Sequence, residues 1–224
     1  RVGLAGGAAN VGRYLRWQPD GIWGQLVDGV LLGMVSVLRY GEVGFVGCMG
    51  VEPSLQGRGI GRAVLEHAHT ESRRAGVTTF LLEATPIGAL LYRRLGYVEE
   101  YESAILGRES VGTNDASLII RSVGSIARDR AAILELDRAA IGTSRSVMIG
   151  GLVDECRGAV VRRDDGLAGY GLVVGERLGP VIARDPDAGR RLIDWLAPGC
   201  TSASLPLPNE HANAALAANG FVEQ

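Results

Sequence analysis

Residues 48–68 carry the sequence CMGVEPSLQGRGIGRAVLEHA, in which an apolar run leads into a glycine-rich turn that opens a helix. A helix N-terminus leaves backbone N–H groups unpaired and carries the positive end of the helix dipole, so it attracts anions. Gly57, Gly59 and Gly61 would let a pyrophosphate reach those N–H groups, and Arg58 and Arg62 add positive charge. The segment therefore predicts a phosphate-binding loop, with a turn that only reverses the chain as the alternative.

Two common nucleotide-binding motifs fit this loop poorly. A Walker-type loop ends in Gly-Lys-Ser/Thr, and the chain contains no lysine. A dinucleotide fingerprint would use Gly57 and Gly59 with Glu83 as its acidic residue, but Arg62 stands where a third small residue belongs. Pro53 also separates the strand from the turn, and proline cannot donate to a central ladder.

A third motif matches the loop closely. The hexapeptide Gln56-Gly57-Arg58-Gly59-Ile60-Gly61 resembles the Q/R-x-x-G-x-G/A signature of the GNAT acyl-coenzyme A transferases. In that family the loop and the helix N-terminus bind the coenzyme A pyrophosphate, and the preceding strand lies along the pantetheine arm. The resemblance thus implies that the loop holds the phosphates and that the strand offers backbone groups to the arm.

A second block of sequence supports the resemblance. Residues 78–101, TTFLLEATPIGALLYRRLGYVEEY, are similar to the family's fifth strand, a short helix and a closing Leu-Gly-aromatic turn. The family often places an Asn before a Tyr-x-x-x-Gly-Phe segment; here Thr85 takes the Asn position and Tyr92 lies four residues before Gly96. The residues that the resemblance assigns to coenzyme A are Met49, Gly50, Val51, Gln56, Gly57, Arg58, Gly59, Ile60, Gly61, Arg62, Thr85 and Tyr92.

Acetyl transfer to an amine needs a proton acceptor for the amine and a proton donor for the departing thiolate. Tyr92 is the candidate acid, because a phenol is matched to a thiolate leaving group; the alternative is a ring that only packs. Glu83 is the candidate base, acting through water, or else an exposed carboxylate at a strand end, since residues 45–51 hold no carboxylate. Cys48 is a less favoured acyl acceptor, because a buried strand cysteine is more often inert.

Composition excludes several classes of protein. The chain has 224 residues, 46% hydrophobic and 21% charged, which is typical of globular proteins. A net charge of −2 gives no electrostatic case for nucleic acid or an anionic membrane. Three cysteines without C-x-x-C spacing and three scattered histidines suggest neither disulfides nor a metal site. We expect a cytoplasmic protein, and the abundance of arginine, glycine and alanine indicates a GC-rich bacterial source.

The first half of the chain alternates strand and helix patterns. Strands are predicted at 22–27 and 30–40 around the turn Asp28-Gly29, then at 45–51, 79–84 and 98–106. Helices are predicted at 9–18, 59–75 and 87–95. This order predicts a mixed α/β fold with a mostly antiparallel central sheet and helices on both faces. Because the chain starts at Arg1, we expect it to be trimmed and to lack the first strand of the GNAT fold.

The second half repeats the pattern of the first after a polar stretch. We predict a catalytic domain at 1–108, a linker at 109–116 and a degenerate GNAT-like domain at 117–224. The stretch IARDPDAGRRL at 182–192 has one glycine and two aspartates where a second phosphate loop would lie, and Leu216 takes the position of Tyr92. The second domain should therefore shape an acceptor pocket or an interface.

Together these features predict an acetyl-CoA-dependent N-acetyltransferase that acts on a small-molecule amine by direct transfer in a ternary complex. A non-catalytic acyl-CoA sensor and, less favoured, an NAD-binding oxidoreductase are the alternatives. No nucleic acid, membrane or metal is expected as a partner, and a homodimer is left open.

Overall fold

The computed structural model describes residues 7–108 and 126–224. The chain divides between Val98 and Glu99 into two compact units, which we call the first unit and the second unit. Among the helices of the described residues, none combines the length and the apolar character needed to cross a bilayer.

The first unit contains three α-helices and four strands within the described residues, with short 3-10 helices at Pro19–Gly21 and Pro53–Leu55. In chain order they are α1 (Gly7–Trp17), β1 (Ile22–Val27), β2 (Val30–Tyr40), β3 (Val43–Val51), α2 (Ile60–Arg74), β4 (Thr79–Leu82) and α3 (Pro86–Arg94). The sheet order is β1-β2-β3-β4, with antiparallel pairs throughout except for the parallel pair of β3 and β4. The turn between β1 and β2 is the predicted one, with Asp28 and Gly29 both at positive φ, as a two-residue hairpin requires.

Helices cover both faces of the first sheet. Val35 and Val37 of β2 are fully buried against Leu65 and Ala68 of α2, since alternate strand residues meet one stripe of the helix. On the opposite face, Tyr14 of α1 approaches the sheet near Gly47.

The parallel pairing of β3 with β4 is short, and its end determines where the two strands separate. β3 pairs with β4 only from Val43 to Val46, opposite Thr79 to Leu82. β3 then continues to Val51 beside β2 alone, so its edge toward β4 carries backbone groups without a ladder partner among the described residues. The two strands therefore open into a cleft directly before the glycine loop.

The second unit has a larger sheet. Its elements are β5 (Ser103–Gly107), α4 (Arg130–Ile141), α5 (Ser146–Glu155), β6 (Arg157–Arg163), β7 (Gly166–Val174), β8 (Arg177–Ala183), α6 (Pro186–Leu196), β9 (Ser202–Pro206), α7 (Glu210–Ala218) and β10 (Val222–Glu223). The sheet order is β10-β5-β9-β8-β7-β6, in which β8 and β9 are the parallel pair. β6 to β9 thus repeat the order and the parallel step of β1 to β4, and the predicted mixed, mostly antiparallel fold is confirmed.

One predicted strand belongs to the other sheet. The strand predicted at 98–106 as the last of the first domain is β5, which pairs antiparallel with β9 and β10. Ala104 and Leu106 of β5 lie in the apolar core of the second unit, and burial of these side chains there favours the pairing of β5 with the second sheet. The division at Val98 therefore precedes the predicted domain end at 108, while the predicted linker at 109–116 and the start of the predicted second domain, residues 117–125, lie outside the described residues.

Candidate functional site

The glycine loop has the conformation that an anion site requires. Gly57 and Gly59 have φ of 77° and 84°, a region that side chains rarely adopt, and a Cβ at either position would meet no atom within 4 Å. Gly59 is the N-cap of α2 and provides no side-chain acceptor, so the first N–H groups of the helix are not capped by it. The loop therefore presents bare backbone donors to open space.

Contacts behind the loop fix it on the end of β3. The Gln56 Nε2 donates to the Val51 carbonyl oxygen at 3.3 Å. A Cβ on Gly61 would lie 3.0 Å from Cε of Met49 and 3.3 Å from Cγ2 of Val51, so α2 starts in close contact with the strand and a larger residue would displace these side chains. The residues predicted to hold phosphate and pantetheine are thus brought together as one surface, although their binding role stays a prediction.

The charge around the loop differs from the expected pattern. Arg58 is exposed beside Gly57, as an anion site needs. Arg62 instead forms an i,i+4 ion pair with Glu66, with 2.9 Å between its Nε and the carboxylate. Since an exposed helical pair contributes little stability, the Arg62 guanidinium could still turn toward a ligand.

Met49 and Val51 flank a distortion in β3. Two residues of β3, Cys48 and Met49, stand opposite Val35 alone, which makes a β-bulge where the strand leaves β4. Cys48 has a φ of 45°, an unusual value for a residue other than glycine. It is half-buried, so the expectation of a fully buried strand cysteine is wrong, while its inertness stays a prediction.

Tyr92 is buried, with 8% of its surface exposed. Its ring lies against Gly88 one turn earlier in α3, where a Cβ would be 3.2 Å from the ring. Burial raises the pKa of Tyr92 above that of an ordinary phenol, which keeps the hydroxyl protonated. The burial that packs the Tyr92 ring therefore also favours the protonated form of its hydroxyl.

Thr85 and Glu83 border the cleft from the β4 side. Thr85 is the N-cap of α3, and its Oγ1 accepts a hydrogen bond from the Gly88 N–H at 3.2 Å. β4 ends at Leu82, two residues earlier than predicted, so Glu83 lies in the following loop and is exposed. The structure shows no hydrogen bond between Glu83 and Tyr92.

A polar pair next to Tyr92 was missed by the sequence analysis. His69 of α2 is buried, and its Nε2 lies 2.7 Å from the Tyr97 hydroxyl. The Tyr97 ring meets Tyr92 edge-on with centroids 5.6 Å apart, and His69 lies 4.4 Å from Phe80. Burial lowers the pKa of His69, so its imidazole is neutral near pH 7. The sequence signal for this pair is Tyr97, which carries a hydroxyl at a position where the family commonly has phenylalanine.

The matching position of the second unit has no such loop. Asp185 caps α6 by accepting the Ala188 N–H at 2.9 Å, which lowers the pKa of the Asp185 carboxyl, and Arg163 pairs with the same carboxylate. Leu216, which takes the position of Tyr92 in the second half of the chain, is buried in the core. A carboxylate therefore occupies the helix N-terminus where a phosphate would bind. Within residues 7–108 and 126–224, no three His, Cys, Asp or Glu side chains converge as metal ligands.

Family models match both halves of the chain. Residues 18–99 and residues 133–224 each match a model described as an acetyltransferase (GNAT) domain, and together the matches span most of the sequence. The chain belongs to the GNAT acetyltransferase family. The predicted family and the tandem arrangement are confirmed, and acetyl-CoA is the acetyl donor that goes with this family.

Solved structures share the fold. A Pyrococcus horikoshii protein assigned as an acetyltransferase aligns over 96% of this chain and 74% of its own, with 24% identity and a TM-score of 0.80. GCN5-related N-acetyltransferases from Kribbella flavida and Anabaena variabilis align at 18% and 14% identity, with TM-scores of 0.55 and 0.58. They align over 91% and 93% of this chain, which covers 58% and 61% of theirs. At these identities the likeness shows the fold alone. No curated protein matches the sequence.

Proposed function

We propose that this protein transfers an acetyl group from acetyl-CoA to the amine of a small molecule, by direct attack in a ternary complex. One observation carries the proposal: the unpaired edge of β3 beyond Val46 is followed, after residues 52–55, by a glycine loop with open backbone donors. The unpaired strand edge can bind an extended arm that carries amide groups, and the glycine loop can bind a pyrophosphate.

Donor binding uses backbone more than side chains. The N–H groups from Gly57 to Arg62 face the phosphates, with Arg58 as the exposed cation next to them. Met49, Gly50 and Val51 offer N–H and C=O groups to the pantetheine arm, as neighbouring strands do in a sheet. Thr85 closes the far side of the cleft.

Tyr92 supplies the proton that the departing thiolate needs. Because burial raises its pKa, the phenol stays protonated at neutral pH and can act as a general acid. After transfer, the proton released by the amine returns to the phenolate through solvent. Glu83, exposed in the loop after β4, draws a proton from the amine through water.

The donor site is tested by calorimetric titration of coenzyme A into the wild type and Gly59→Asp. Aspartate tolerates a positive φ better than most residues, but its carboxylate would face the phosphates. We expect binding at least about tenfold weaker, which is about 1.4 kcal/mol.

Gly76→Asp is the matched control for this titration. Gly76 follows the other end of α2, with a φ of 94° and no atom within 4 Å of a built Cβ, so the backbone penalty is comparable. The control should bind coenzyme A as the wild type does. Equal binding by Gly59→Asp and Gly76→Asp would refute the phosphate assignment.

A non-catalytic acyl-CoA sensor is the second candidate, favoured by the lack of a carboxylate on β3. It predicts coenzyme A binding without release of free thiol across a panel of small amines. The dinucleotide-binding alternative is not retained, because both family matches are acetyltransferase domains.

A further inference from the structure

We propose that the hydrogen-bonded pair of His69 and Tyr97 positions the Tyr92 hydroxyl for proton transfer, by connecting α3 to the helix that begins at the glycine loop. This rests on the proposed function, since it requires Tyr92 to be the acid. The pair acts on the reaction through Tyr92, so both of its members are positioning residues.

The attachment of Tyr97 at two ends is the first argument. Its backbone N–H donates to the Tyr92 carbonyl oxygen at 3.1 Å, across the turn in which Gly96 has a φ of 87°. Its hydroxyl lies 2.7 Å from Nε2 of His69 in α2. Tyr97 therefore reaches from the end of α3 to α2, and it is held both at its backbone and at the tip of its side chain.

The contact between the two tyrosine rings is the second argument. The Tyr97 ring meets the Tyr92 ring at an interplanar angle of 63°, with ring centroids 5.6 Å apart. The hydroxyl of Tyr92 lies at the far end of its ring, so a change in the tilt of the ring moves this oxygen most. A displacement of about 1 Å at a reacting group can cost about 100-fold in rate. A fixed Tyr97 therefore limits the positions that the acid can take.

The pair forms an uncharged connection. Burial lowers the pKa of His69 and raises the pKa of Tyr97, so a neutral imidazole meets a protonated phenol. A hydrogen bond of this kind contributes only about 1 kcal/mol to stability, and apolar side chains of the same shape can replace both partners at little cost. What the polar pair adds is direction, because a hydrogen bond fixes the orientation of Tyr97 and packing alone does so less strictly.

The place of His69 in α2 connects the pair to the donor site. α2 begins at Ile60, directly after Gly59 of the glycine loop, and His69 lies about two and a half turns later in the same helix. The His69–Tyr97 bond therefore holds the acid in register with the helix whose N-terminus binds the pyrophosphate in the proposed function. Loss of the bond should slow the chemical step and leave donor binding intact.

The test measures thiol release from acetyl-CoA by Tyr97→Phe and His69→Leu, with glycinamide, tyramine and spermidine as acceptors. Tyr97→Phe removes one oxygen atom and keeps the ring, and His69→Leu removes the hydrogen-bond partner. We expect kcat to fall at least about tenfold in both variants, and the KM for acetyl-CoA and the Kd for coenzyme A to stay within about twofold. A wild-type kcat in folded Tyr97→Phe, with only stability reduced, would overturn the inference.

His69→Gln is the conservative variant, because its side-chain amide can replace Nε2 as the partner of the Tyr97 hydroxyl. It should recover most of the wild-type kcat, which a role in packing alone does not predict. His67→Leu, an exposed change in the same helix, should have wild-type kinetics. Circular dichroism checks that each variant is folded at the assay temperature. Tyr97→Phe and His69→Gln decide the matter if His69→Leu does not fold.

A double variant tests whether Tyr97 acts through Tyr92. If it does, Tyr97→Phe should have no further effect on kcat in the Tyr92→Phe background, because the hydroxyl that it orients is already absent. Losses that multiply in the double variant would overturn the inference, since Tyr97 would then act independently of Tyr92.

The same assays separate this inference from the proposed function. If Tyr92→Phe is slow while Tyr97→Phe and His69→Leu match the wild type, the positioning role is wrong and the acid assignment stands. If Tyr92→Phe matches the wild type, the acid assignment and the positioning role are both wrong. If the wild type binds coenzyme A and releases no thiol with any of the amines, the sensor is favoured, and both the proposed transfer and the positioning role are wrong.

Discussion

The phenol of Tyr92 illustrates how packing tunes one residue. The ring packs against Gly88, one turn earlier in α3, where there is no side chain to obstruct it. The Tyr97 ring contacts it edge-on, with ring centroids 5.6 Å apart. These contacts hold the side chain in one place and remove water from it. The same burial raises its pKa, so the phenol is protonated when the thiolate leaves.

Replacing Tyr92 by Phe removes the hydroxyl and keeps the ring. With a working amine acceptor, we expect kcat to fall about 100-fold, the typical contribution of a general acid, while coenzyme A binding is unchanged. Tyr101→Phe, which alters an exposed tyrosine, should have wild-type kinetics. A wild-type kcat for Tyr92→Phe at saturation would reduce Tyr92 to a packing role.

The raised pKa of Tyr92 also predicts the pH dependence of this activity. The acid form is present below the pKa and is lost above it, and the folded pKa exceeds the ordinary value of about 10. The wild-type rate should therefore not decline through loss of this acid until the pH is above 10. Measured kcat between pH 7 and 10 that falls with an apparent pKa near 8 would contradict the assignment.

At the scale of elements, Arg108 connects the end of β5 to the ends of two helices of the second unit. It follows the strand, and its Nε and Nη1 donate to the carbonyl oxygens of Cys200 and Asn219 at 2.7 and 2.9 Å, while Nη2 donates to Ala197. Ala197 and Asn219 are the C-caps of α6 and α7, so one cation binds the negative ends of two helices. The guanidinium also lies 4.8 Å from the Phe221 ring centroid.

Arg108→Ala should consequently destabilise the second unit. Three carbonyl groups lose a charged donor, and we expect a loss of about 2–4 kcal/mol in the free energy of unfolding, measured by urea titration. Arg108→Lys should lie between this variant and the wild type, because lysine keeps the charge and loses the planar fork. Arg138→Ala, an exposed change in α4, should stay within about 0.5 kcal/mol. Equal stability of Arg108→Ala and Arg138→Ala would show that the helix ends do not depend on this cation.

At the scale of the whole molecule, two units with the same strand order differ in what their helix N-termini can bind. Gly59 leaves the start of α2 open, whereas Asp185 caps the start of α6 with a carboxylate. The comparison supports a donor site in the first unit alone.

Hydrogen exchange with saturating acetyl-CoA tests this asymmetry. At a hundred times Kd, a ligand stabilises the state that binds it by about 2.7 kcal/mol, so amides that open only when the first unit unfolds should exchange more slowly. We expect protection in residues 47–62 and in the core of the first sheet, and no change at 183–190 around the start of α6. Matching protection in both segments would mean that the second unit also binds the donor. The small-molecule amine and a homodimer stay predictions.

How far the sequence predicts this molecule depends on the range of the interactions involved. The turn at Asp28-Gly29, the bounds of β1 and β2 and the glycine loop followed from neighbouring residues, because backbone conformation there is set locally. The sheet that β5 joins could not be predicted, since strand pairing depends on residues about a hundred positions away. The exposure of Cys48 was also missed, because a bulge arises from the register between two strands.

The sequence by itself determined the family, the tandem arrangement and the place of the glycine loop, since these are written in short motifs whose backbone geometry glycine dictates. Only the tertiary structure decided that β5 crosses to the second sheet, that His69 meets Tyr97 behind Tyr92, and that Cys48 of the β-bulge lies beside Ser36. The physical reason is that burial and hydrogen bonding between distant residues depend on how the elements pack, and a local pattern does not specify that.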